Sequence, residues 1–118
     1  MNIFSAVEKA TINLVKKPWG REFWLVNTEL YCIKIIECQS GVWSSDGRYH
    51  FHMDKDETFL VITGALILDV DTGIEHKLES GERFRISPFT RHRFKSHMHF
   101  CRFIEISTHH EDSDSYYH

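Results

Sequence analysis

The chain has 118 residues, of which 42% are apolar and 26% charged, with a net charge of −3 when histidines are neutral. These values describe one ordinary globular domain and argue against a disordered or fibrous chain, a nucleic-acid partner or a membrane surface. No run approaches the roughly 18 apolar residues needed to cross a bilayer, and the N-terminus lacks the apolar stretch of a signal peptide. Cys32, Cys38 and Cys101 are odd in number and form no CxxC pair, so no disulfide framework is expected and the chain is read as cytoplasmic.

Residues 1–17 are read as an N-terminal arm or helix. Ser5 and Glu8 have capping-box spacing. Thr11, Ile12 and Val15 weaken a helix, and Pro18 ends it, so an edge strand is the alternative. From Glu22 onward, short runs rich in Val, Ile, Phe, Tyr and Thr predict strands at 22–26, 31–38, 42–45, 48–52, 57–63, 65–71, 74–78, 83–87, 91–96 and 100–107. Asp46-Gly47, Asp71-Thr72-Gly73, Gly64 and Ser80-Gly81 are turn signals between them. Many short strands at even spacing predict an all-β sandwich or barrel over 18–107. Residues 108–118 are polar and are read as a tail leaving that body.

Nine histidines is a high number for this length. His50 and His52 are two apart in a β context, so both imidazoles point to one face. Glu57 opens the next strand and can return to the same point. A fourth ligand is expected from far along the chain, where Gly81 permits a tight turn, Pro88 fixes a bend and His92 enters a strand. Three imidazoles and one carboxylate suit one divalent transition metal, among Zn, Mn, Fe, Co, Ni and Cu, rather than Ca or Mg. His97 and His99 form a second H-x-H without a following acid and are read as a solvated turn. His109-His110 are assigned to the surface of the tail, and His76 to an exposed strand position.

These two segments resemble the two motifs of the cupin superfamily. The first, H-x-H-x4-E-x6-G, is matched from His50 to Gly64, with Ser44 where the motif has a leading glycine. In the second, Gly81 and His92 are present and Pro88 lies one place late. Phe89 or Thr90 stands near the motif glycine, and Ser96 replaces the asparagine. The resemblance covers about 18–107 and implies a double-stranded β-helix, or jelly-roll, barrel holding its metal on His50, His52, Glu57 and His92. Lys17-Pro18-Trp19-Gly20-Arg21-Glu22 further resembles the stretch that opens the cupin domain of type II mannose-6-phosphate isomerases.

That resemblance implies a sugar or sugar-phosphate isomerase or epimerase, with the metal as Lewis acid and a base carrying a proton between adjacent carbons. A non-catalytic sugar-binding or regulatory cupin and an Fe(II)-dependent dioxygenase are the alternatives. On the last strand, either Arg102, Ile104 and Ile106 or Cys101, Phe103 and Glu105 face the metal. Glu105 is the candidate base, with His99 second. Arg48, Lys55, Arg91 and Arg93 adjoin the ligands in sequence and are candidates to hold a sugar or its phosphate. Thr58, Leu60 and Ile62 share an outward face that is unexpectedly apolar for solvent; a homodimer is expected to cover it, with the N-terminal segment as the alternative cover.

Overall fold

A computed structural model describes residues 7–39 and 41–117. In chain order its strands are β1 (Asn13–Lys17), β2 (Gly20–Asn27), β3 (Cys32–Gln39), β4 (His50–His52), β5 (Glu57–Thr63) and β6 (Ala65–Val70). They continue with β7 (Ile74–Glu79), β8 (Arg83–Ile86), β9 (His92–Ser96), β10 (Phe100–Ser107) and β11 (Ser115–Tyr117). Two antiparallel sheets result, one in the order β1-β2-β3-β10-β5-β8 and the other β11-β4-β9-β6-β7.

Period-two alternation decides which residues lie between the sheets. Phe59 and Val61 of β5, Leu66, Leu68 and Val70 of β6, Phe94 of β9, and Cys101 and Phe103 of β10 all turn inward and are buried. Phe59, Phe94 and Phe103 meet with ring centroids 4.7–5.7 Å apart, and Trp19 stands edge-on to Phe94 at 5.0 Å. This aromatic floor fills one end of the space between the sheets and leaves the other end to polar groups.

Three sequence expectations need correction, and one choice between alternatives is decided. The helix over 1–17 does not form in its described part, although Ser5 lies outside the described residues. The edge strand, the alternative reading, is what Asn13–Lys17 forms, paired from Asn13↔Trp24 to Lys17↔Gly20. The Pro18-Trp19 turn reverses the chain, and Gly20 lets it pass the Glu37 carbonyl at a distance no Cβ could share. The strand at 42–45 is replaced by a 3₁₀ turn over Ser44–Gly47, in which Ser45 and Asp46 adopt positive φ. There the buried Ser44 Oγ accepts the Phe94 amide (3.0 Å), so it ties down β9 rather than extending a ladder.

The C-terminal segment does not leave the body. After a 3₁₀ turn at Asp112–Asp114, β11 pairs with β4 from Ser115↔His52 to Tyr117↔His50. Its anchor is Asp114, whose carboxylate accepts the amides of Met53, Asp54 and Lys55. His76, expected on an exposed strand face, is half-buried with its ring 4.7 Å from that of Phe84.

Candidate metal centre and its pocket

His50 and His52 sit at the two ends of the three-residue β4, so alternation turns both rings the same way. Glu57 is the first residue of β5, and His92, the first of β9, lies directly across from His50. One ligand atom from each of the four lies within 4.8 Å of the others. Metal–ligand bonds of about 2.0–2.2 Å hold ligands no more than about 4.4 Å apart, so small side-chain adjustments close this set on one ion. Glu57 Oε1 stands 2.9 Å from His92 Nε2 and 3.5 Å from His52 Nε2.

The donor set fits a metal on its own hydrogen bonding. His50 Nδ1, Glu57 Oε1 and His92 Nε2 are buried and have no aligned hydrogen-bond partner among the described residues. Buried polar atoms without partners are rare and costly, and such atoms on three members of one cluster call for a common partner. The other nitrogens are committed. His52 Nδ1 donates to the Asp114 carbonyl (3.0 Å) and His92 Nδ1 to the Thr90 carbonyl (2.8 Å), which turns each Nε2 toward the cluster. Burial holds His50 well below the usual imidazole range, and neighbouring His92 adds to the effect; burial likewise lowers His52. Burial thus favours the neutral form of both imidazoles, the form in which a histidine can hold a metal. Burial alone would raise Glu57, but Lys55, then His92 and His52, keep its carboxyl well below the ordinary range.

Around this point lies a cavity of ≈ 110 Å³, space for several waters or a small ligand. The alternation on β10 is resolved in favour of Cys101, Phe103 and Glu105, which are buried, while Ile106 is exposed. Glu105 therefore enters the pocket, where Lys55 Nζ donates to its Oε2 (3.1 Å). Lys55 is itself 3% exposed and lies 3.3 Å from Glu57 Oε2. Burial would lower its ammonium, but Glu105 and Glu57 raise it above the usual lysine value.

The other predicted residues are not brought to this cavity. Arg48 is exposed, with its guanidinium 4.6 Å from the Tyr117 ring at the rim. Arg93 donates to Asp69 (3.0 Å) and to the Gly47 carbonyl (2.8 Å) and stacks on Trp43, so its charge is spent in holding the fold. Arg91 lies on a different surface, beside Phe51 and Phe89. His99 is in the exposed turn between β9 and β10 and does not line the cavity.

Sequence reading missed Glu22, Trp24, Lys34 and His110, all of which line the cavity. A signal for Lys34 was available. It interrupts the inward series Cys32, Ile36, Cys38 on β3, where a lysine is out of place without a purpose. His110, assigned to the surface of a tail, instead reaches Lys55 Nζ with Nδ1 (3.1 Å) and Asp112 with Nε2 (2.8 Å).

No protein-family model matches the chain, and no curated protein resembles it significantly. Solved structures do. KdgF from Halomonas sp. superposes with a TM-score of 0.74 at 17% identity, covering 86% of this chain and 89% of that one. A Klebsiella pneumoniae protein described as having a double-stranded β-helix domain superposes with a TM-score of 0.74 at 14% identity, over 87% of each chain. The fold is a double-stranded β-helix.

Two further structures share this cupin-like fold. Pac13 of Streptomyces, a nucleoside dehydratase solved with uridine, gives a TM-score of 0.79 at 10% identity over 96% of this chain and 92% of its own. The capsular polysaccharide assembling protein CapF of Staphylococcus aureus gives 0.77 at 18% identity; 90% of this chain is covered, but only 34% of CapF. At such identities the likeness carries the β-helix alone, and the chemistry of the site rests on this chain's own residues. No helix among the described residues is long and apolar enough to cross a membrane.

Proposed function

We propose that this β-helix is a metal-dependent enzyme acting on a sugar or sugar phosphate as an isomerase or epimerase. The observation that carries the reading is the convergence of His50, His52, Glu57 and His92 beside an inward-facing carboxylate, Glu105, on the wall of one polar cavity. A divalent transition metal held by these four residues would supply Lewis acidity toward a carbonyl oxygen. Glu105 would take a proton from the carbon next to that carbonyl and return it to the neighbouring one. Lys55 fixes the Glu105 carboxylate through Oε2 and leaves Oε1 for the proton. Phe59 and Phe94 close the floor and keep water from the reacting carbons. The carbohydrate assignment draws support from the printed roles of the neighbours, a nucleoside for Pac13 and a capsular polysaccharide for CapF.

Metal analysis of the purified chain, followed by assay of aldose–ketose and epimer interconversion with added Mn, Co, Zn or Ni, tests the proposal. Uptake of about one ion per chain, a raised melting temperature on loading, and turnover abolished by Glu105→Gln with metal content retained are expected. A chain that takes up metal but turns over no sugar would be a binding cupin, and oxygen uptake with Fe(II) would make it a dioxygenase. The same reading has two copies pairing on the outer face of the first sheet. There Ile62 and Ile106 are 43% and 45% exposed and Leu60 and Ile104 half-buried. Sedimentation of wild type against Ile62→Glu checks it.

A further inference from the structure

One buried cation of the cavity has no role in the metal centre. Lys34 is 3% exposed, yet its Nζ makes no hydrogen bond among the described residues. The nearest carboxylate oxygens, Glu22 Oε1 at 3.8 Å and Glu105 Oε2 at 3.9 Å, are close enough to balance its charge but too far to accept its protons. The ammonium also lies 4.1 Å from the Trp24 ring centroid, which holds it in place. An ammonium has three donors, and burying them without acceptors costs free energy unless something else meets them.

Each carboxylate beside it is engaged in a hydrogen bond through one oxygen only. Trp24 Nε1 donates to Glu22 Oε1 (2.8 Å), and Lys55 donates to Glu105 Oε2 (3.1 Å). Glu22 Oε2 and Glu105 Oε1 have no hydrogen bond among the described residues. Lys34, Glu22 and Glu105 all line the cavity. The wall thus offers one multiple donor flanked by two acceptors.

We infer that Lys34 and Glu22 form a subsite for a hydroxyl of an uncharged carbohydrate, beside the metal centre and the base Glu105. This deepens the carbohydrate reading above and rests on it. A hydroxyl both donates and accepts, so one can accept from Lys34 while donating to the free Glu22 Oε2. The dianion of a sugar phosphate monoester only accepts through its phosphate. It would leave Glu22 Oε2 without a donor and would meet lysines already flanked by Glu22 and Glu105. The arginines that could have supplied surplus positive charge lie elsewhere: Arg93 is spent on Asp69 and Arg91 faces another surface.

The test uses the purified full chain with zinc added. Zinc content is measured alongside calorimetric titration with D-fructose, D-mannose, their 6-phosphates and inorganic phosphate. Wild type is expected to bind a neutral sugar and to gain nothing from the 6-phosphate. Lys34→Met is expected to weaken that binding at least tenfold while zinc content stays within twofold of wild type. Glu22→Gln, at a less buried position, is expected to weaken it several-fold and serves if the lysine variant fails to fold.

The inference is overturned if inorganic phosphate or a sugar phosphate binds tightly and neutral sugars do not. It is equally overturned if no sugar binds, or if Lys34→Met and Glu22→Gln bind neutral sugars as wild type does. Absence of zinc uptake would instead sink the metal reading. A neutral sugar that still binds and is lost in Lys34→Met would leave the subsite standing.

Discussion

Replacing Asp114 by alanine removes a clasp that joins the C-terminal segment to the metal-ligand strand. Its carboxylate, 9% exposed, accepts the Met53 amide (2.9 Å), the Asp54 amide (3.2 Å) and the Lys55 amide (3.0 Å), and its carbonyl orients His52. Hydrogen bonds to a charged group contribute roughly 1.5–3 kcal/mol each. Water can replace some of them once the segment loosens, so a net loss of about 3 kcal/mol in stability is expected. The effect should also reach the metal. With β11 detached, the His52 ring loses the acceptor that fixes its tautomer, and removing such a support typically costs 10–100-fold in metal affinity. Urea unfolding of the metal-free chain reads the first effect, and calorimetric titration with zinc reads the second. Asp114→Asn keeps one acceptor oxygen and should fall between wild type and alanine in both. If Asp114→Ala binds zinc within twofold of wild type and unfolds at the same urea concentration, the C-terminal strand is not part of the site's support.

Three further outcomes are expected. Gly64→Ala should cost roughly 2–4 kcal/mol in urea unfolding, because φ is +78° and a Cβ there would stand 2.2 Å from the Phe100 carbonyl oxygen. Phe89→Gly should do the opposite and stabilise by roughly 0.5–1 kcal/mol, since Phe89 is 64% exposed and holds φ at +67°, which glycine adopts without strain. Asp69→Asn should destabilise by about 2 kcal/mol near neutral pH by weakening the buried partner of Arg93 and Tyr49. Burial opposes ionisation of Asp69, but hydrogen bonds from Tyr49, Arg93 and the Gly73 amide hold its carboxyl below the ordinary value of 3.8. The stabilisation is therefore complete above that pH and is lost as pH falls below it. Unfolding curves of wild type and Asp69→Asn should converge between neutrality and strong acid.

The Phe89 position shows why a motif departure need not mean a lost site. Where the resembling motif has glycine, this chain bends a phenylalanine into the left-handed region. Its amide donates to the His52 carbonyl (2.7 Å), so the loop before His92 is tied to β4. Ser44, at the other departure, becomes the acceptor for the Phe94 amide. Both residues look like defects when read along the chain and act as ties once the strands are assembled.

Local information was enough for the β character, most strand positions and the four metal-ligand candidates. Period-two alternation puts His50 and His52 on one side whatever else the chain does, and Glu57 and His92 each open a strand that turn residues had already marked. What only the assembled sheets decided was which face of β10 turned inward, and hence that Glu105 shares a cavity with Lys55. They also decided that Arg91, Arg93 and His99, neighbours of the ligands in sequence, point elsewhere. Residues 108–118 carry too little apolar surface to predict packing. Their place depends on the Asp114 carboxylate finding three amides about sixty residues away. Alternation is a property of the backbone of a single strand, whereas these outcomes depend on register between strands distant in sequence, which long-range burial and ion pairing select.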